Sequence, residues 1–121
     1  MKDTDLREQL SAIARQFKVF ECVLCAEALR QFLISQNRSG WQISLFTGST
    51  EDPFCNVYHE DLQQNISVNG RHEAIAIMIE GQKVVFDNLN PEGLPRASWI
   101  ESFYCPIQDL GGNFEITESE F

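Results

Sequence analysis

The sequence predicts an α+β fold in which N-terminal helices pack on a small antiparallel sheet. Three observations predict it. Apolar residues recur at spacings of three and four up to Ser35, the period changes to two at Trp41, and turn-forming residues then separate short apolar runs at hairpin spacing.

Leu6, Leu10, Ile13, Ala14 and Phe17 form the first stripe, and Asp5 with Glu8 three residues on has the spacing of a capping pair, so a helix is expected over residues 5–17. A second helix is expected over 21–35, with Cys25, Ala26, Leu29, Phe32 and Leu33 on its buried stripe and Glu27, Arg30 and Gln31 facing water. Asn37, Ser39 and Gly40 stop it. Trp41, Ile43 and Leu45 then alternate with Gln42 and Ser44 as a half-buried strand does, and the sheet is expected over 41–88. Residues 48–64 show no period and read as a long irregular connection, with His59 exposed within it. Ile66–Val68 make a short strand and Asn69-Gly70 a turn. His72–Ile79 form a nearly continuous apolar strand, and a turn at Gly81-Gln82 returns the chain through Lys83–Asp87. A short helix is expected over 98–103, where Trp99, Phe103 and Tyr104 read as core packing. The acidic end, Glu115–Phe121, reads as frayed, although Phe114 and Ile116 alternate as in an edge strand.

With 121 residues and 43% hydrophobic content, one domain spanning 1–121 is expected. The net charge of -9, with no Lys/Arg cluster to offset it, would repel a phosphate backbone, so nucleic acid is not expected as a partner. No membrane-spanning run and no apolar leader occur, which predicts a cytoplasmic protein, or one exported by a dedicated system if it is an effector. In that compartment Cys22, Cys25, Cys55 and Cys105 are expected to be reduced. Neither a cofactor nor a metal is expected, and the oligomeric state is not encoded in any readable pattern.

The chemistry-bearing residues stand at element boundaries. Cys22 opens a helix, where the helix dipole and a neighbouring imidazolium lower a thiol's pKa from about 8.5 and make the nucleophilic thiolate. His72 opens an apolar strand, and Asp87 closes the return strand fifteen residues later, where a carboxylate can fix an imidazole tautomer. A strict ladder about Gly81-Gln82 sets Asp87 opposite Ala76 rather than His72. Asn88 and Asn90 therefore remain alternatives as the orienting group, and a bulge or strong twist would be needed for Asp87. Cys25 lies on the apolar stripe and reads as a small core hydrophobe, with Cys22 the preferred nucleophile.

The segments FECVLCAEAL, NGRHEAIAI and VFDNLNPEGLPRASW resemble the papain-fold toxin 2 domain family, a bacterial polymorphic-toxin branch of the papain-like cysteine peptidase superfamily. The resemblance implies a papain-like core, with Cys22 as nucleophile, His72 as general base and then acid, and Asp87 as orienter. The family motif contains two cysteines, so Cys25 stays an alternative. Papain-like peptidases place an oxyanion-hole Gln six residues before the nucleophile, and Gln16 holds that position here. The implied activity is that of a thiol hydrolase or acyltransferase, with peptidase, deamidase or transglutaminase-like chemistry on a protein substrate. An immunity-type protein is the other implied partner. Two alternatives stand beside this: a catalytically inactive papain-fold module that binds a protein, and a zinc module using Cys22, Cys25, Cys55 and His59.

Overall fold

The computed structural model describes residues 2–121. Two helices come first, α1 (Asp3–Ala14) and α2 (Cys22–Ser35). They are followed by β1 (Trp41–Phe46), β2 (Val57–His59), β3 (Gln64–Ser67), β4 (Arg71–Ile79), β5 (Gln82–Phe86), β6 (Leu94–Pro95), α3 (Arg96–Glu101), β7 (Phe103–Tyr104) and β8 (Glu115–Glu120). The strands form two antiparallel sheets, a larger one in the order β6-β5-β4-β1-β8 and a smaller one in the order β3-β2-β7. This is the α+β class expected from the change of period.

The two faces of β4 explain the layering. Successive side chains of a strand point to opposite faces. Ile75, Ile77 and Ile79, with Val84 and Phe86 of β5, pack against Leu6, Leu10, Cys25, Leu29 and Leu33 of the two helices. Ala74 and Ala76, with Ile43, Leu45 and Val85, face a second core that holds Val57, Ile66, Trp99 and Phe103. A strand buried on both faces must be apolar throughout, as the RHEAIAIMI run largely is.

Several expectations are corrected. Helix α1 begins at Asp3 rather than Asp5, and the Asp3 carboxylate accepts the Glu80 N–H at 3.0 Å, tying the helix start to the β4–β5 turn. The helix ends at Ala14, so Gln16 and Phe17 lie beyond it in a tightened turn. The 48–64 connection contains β2, which forms the middle of the second sheet between β3 and β7. Helix α3 ends at Glu101, leaving Phe103 in a strand. Glu115–Glu120 is an edge strand paired along the whole of β1. Its exposed glutamates blunt that edge against pairing with another chain.

The most consequential correction concerns the hairpin. Ile79 pairs with Gln82, so the two turn residues are Glu80 and Gly81, both with positive φ, rather than Gly81 and Gln82. Positive φ at both centres is what a tight hairpin of the favoured twist requires. The last ladder pair, Ile75 with Phe86, puts Asp87 level with Ala74 instead of Ala76. Asp87 therefore lies on the same face as His72 and one diagonal step away, within side-chain reach without any bulge.

Candidate active site

The strand order brings the three boundary residues to one place. Cys22 is the first helical residue of α2, where a backbone N–H has no partner within the helix. Its approach is tightly built. Glu21 accepts the Lys18 N–H at 2.6 Å through its side chain, and Phe20 takes φ +74, an uncommon conformation for a bulky residue that directs the chain into the helix. The Asn88 side chain donates to the Lys18 carbonyl at 2.7 Å, fastening this turn to the end of β5.

His72 is completely buried. Its Nε2 lies 2.8 Å from Asp87 Oδ2, and its ring stacks near Trp99 and tilts against Phe103, with centroids at 6.1 and 4.9 Å. The carboxylate is fully engaged. Oδ2 also accepts the Trp99 indole N–H at 2.7 Å, while Oδ1 accepts the Leu89 and Asn90 backbone N–H groups at 2.9 and 2.6 Å and the Asn90 side chain at 3.1 Å. With Nε2 bound to the carboxylate, Nδ1 is the nitrogen left for a thiol. It is buried, makes no strict hydrogen bond, and interacts with Cys22. Loose geometry of this kind is common before substrate binds.

The electrostatics follow from this arrangement. Burial raises the Cys22 thiol, but the His72 hydrogen bond and charge, helped by a Glu73 backbone hydrogen bond, outweigh it and hold the thiol below its ordinary value. Burial lowers the His72 imidazole, yet Asp87 and Cys22 together raise it above its usual range. For Asp87 burial raises the pKa, and the His72 contact and charge with the Trp99 and Asn90 donors bring it below normal. Each shift leans toward the charged form, thiolate for Cys22 and imidazolium for His72. Cys25 behaves oppositely: it sits in the helix-side core, where burial first and the Asp87 and Cys22 charges next push it up to about 12.

The other expected residues fall outside this trio. Gln16 is exposed in the turn after α1. Asn88 serves the Lys18 carbonyl, and Asn90 supports Asp87, so neither replaces Asp87 at the imidazole. His59 is buried on β2 rather than exposed: its Nδ1 accepts the Leu62 N–H at 3.2 Å, its ring meets Phe103 edge to face, and burial lowers its pKa. All four cysteines are free thiols. Among the described residues no group of three or more His, Cys, Asp or Glu side chains converges as a metal site, so Cys22, Cys25, Cys55 and His59 are not gathered as zinc ligands. Two supporting residues escaped the sequence reading. Trp99 packs as expected but also donates to Asp87, and the only hint was its place twelve residues after a boundary carboxylate. Asn90 was singled out as a rival of Asp87, not as its support.

An open cavity of about 280 Å³ adjoins Cys22, bounded by Phe20, Val23, Ile66, Val68, Arg71 and Glu73. Cys22 is 8% exposed, whereas Phe20, Val23 and Val68 at the rim are 62%, 60% and 61% exposed. Large apolar side chains are thus left in water around the thiol.

A family model described as papain fold toxin 2 matches residues 5–104. The chain belongs to the papain fold toxin 2 family. The matched span runs from α1 through β7 and contains Cys22, His72 and Asp87. The α+β architecture, with helices carrying Cys22 packed on an antiparallel sheet carrying His72, is that of a papain-like fold of the toxin type. No curated protein and no solved structure matches the chain.

Proposed function

We propose that the protein is a thiol hydrolase or acyltransferase of the papain-fold toxin type, acting on a carboxamide or peptide carbonyl of a protein substrate through Cys22, His72 and Asp87. The observation that carries this reading is the buried His72, held by Asp87 on one nitrogen and turned to a pKa-lowered thiol on the other. The exposed apolar rim supports a protein as substrate, since a small polar molecule would gain nothing from it.

In the first half-reaction the Cys22 thiolate forms a bond to the carbonyl carbon, and the carbonyl electron pair moves onto oxygen. The Cys22 N–H stabilises that oxyanion, and Gln16 is the proposed second donor, swinging in from its exposed turn. Collapse expels the amine, which takes the His72 Nδ1 proton, and leaves a thioester. Water then attacks with His72 as base, releasing the acid and restoring the thiolate. Replacement of that water by an amine gives transglutaminase-like transfer. An immunity-type protein that caps the Phe20–Val68 rim would silence either reaction.

Incubation of the protein with a bacterial lysate, followed by mass spectrometry, tests the reading. New chain termini, Gln or Asn to acid conversions, or new amide crosslinks are expected with the native protein and not with Cys22→Ala or His72→Ala. Identical modification patterns in all three samples would refute it.

A further inference from the structure

A second basin lies on the outward face of the small sheet. Val57 and His59 of β2 turn into the core, so Asn56, Tyr58 and Glu60 take the other side at period two. Tyr58 stands opposite Tyr104 on β7 and Asn65 on β3, which makes a row of one amide and two phenol rings across the sheet. The rings meet edge to face, with centroids 6.4 Å apart and planes at 85°. With Asn56, Glu60 and Pro106 they bound a cavity of about 360 Å³, larger than the one at Cys22. The Tyr104 hydroxyl donates to Asp109, and that hydrogen bond to a carboxylate pushes its pKa up to about 12, so the ring stays neutral and its donor is already committed.

We propose that this basin binds the guanidinium of an arginine side chain presented by a protein partner. Aromatic faces attract a cation, and a planar guanidinium both stacks on a ring and donates in a fixed fork. Glu60 supplies a carboxylate for that fork, and Asn56 and Asn65 supply amide oxygens. No basic side chain lines the basin, and the net charge of -9 attracts a basic segment. A neutral sugar would use the same rings but draw nothing from either charge. Strand β3 joins the two cavities, because Asn65 lines the basin while Ile66 and Ser67 line the Cys22 cleft.

Titration of the isotope-labelled full chain with acetyl-arginine methylamide, followed by amide NMR, tests the proposal. Saturable shifts centred on Tyr58, Asn65 and Tyr104 are expected, with a Kd on the order of millimolar. Glu60→Gln, an exposed substitution that leaves the fold intact, should weaken binding roughly fivefold, and added salt should weaken it further. Cys22→Ser should bind as the native chain does, which separates this site from the thiol chemistry. The proposal is overturned if no shifts appear by about 50 mM ligand, far above the expected Kd. It is equally overturned if the citrulline analogue or a neutral methyl glycoside shifts the same residues as strongly, or if Glu60→Gln binds unchanged.

Discussion

The Asp87 carboxylate fixes His72 by using both oxygens, and each donor to it has a separable consequence. Trp99→Phe keeps a large ring in the core but removes the indole N–H, so stability should fall by about 1.5–3 kcal/mol, the range for a hydrogen bond to a charged group, as read from urea midpoints. Asp87→Asn removes the charge that favours imidazolium. Cys22 should then lose its anionic bias, and alkylation at neutral pH should slow by roughly tenfold for each unit its pKa regains. The pair also predicts a pH window. His72, raised above its ordinary value of 6.5, adds stability that is present below 6.5 and lost as pH rises through the folded value; Asp87, lowered from 3.8, adds stability present above 3.8 and lost as pH falls. The stability gap between the native chain and His72→Ala should therefore be widest between 3.8 and 6.5 and should shrink on both sides; a gap independent of pH would mean the pair carries no charge.

Turn chemistry decides where the elements present these groups. Gly70 sits at φ +82 just before β4, and a Cβ there would come within 2.6 Å of the Ser49 carbonyl oxygen. Gly70→Ala should destabilise the fold by more than about 1 kcal/mol, from strain and contact together, and displace His72 from Cys22; a thermal midpoint and an alkylation rate both unchanged would contradict this. The same dependence on turns explains what the sequence revealed and what it concealed. Helices α1 and α2 and strand β4 were legible because their apolar period is long and regular. The hairpin register was misplaced by one residue at each side, because Glu80 carries no mark of the positive φ it adopts, and that shift alone moves Asp87 two residues nearer to His72. His59 was misread for a related reason: three-residue strands are too short to show alternation, so β2 looked like loop.

The nucleophile comes from the helical layer and its partners from the sheet, so the site depends on how the two layers dock. The Asn88 to Lys18 bond at 2.7 Å is one of the ties between them at the site. Asn88→Ala should cost about 1 kcal/mol of stability, yet slow Cys22 alkylation several-fold by loosening the 18–21 turn; an unchanged rate would show that the turn holds itself. The order of Cys22, His72 and Asp87 along the chain was readable because each stands where an amphipathic pattern begins or ends. The support from Trp99 and Asn90 was not, because a donor's partner is set by tertiary approach and leaves no period in the sequence. Alkylation of the four cysteines as a function of pH, in the native chain and in His72→Ala, tests the central claim most directly. Cys22 should react first, with an apparent pKa below that of an ordinary thiol, and His72→Ala should move it upward, while Cys25 stays inert near neutrality. Equal labelling of all four thiols, or a Cys22 profile indifferent to His72, would contradict it.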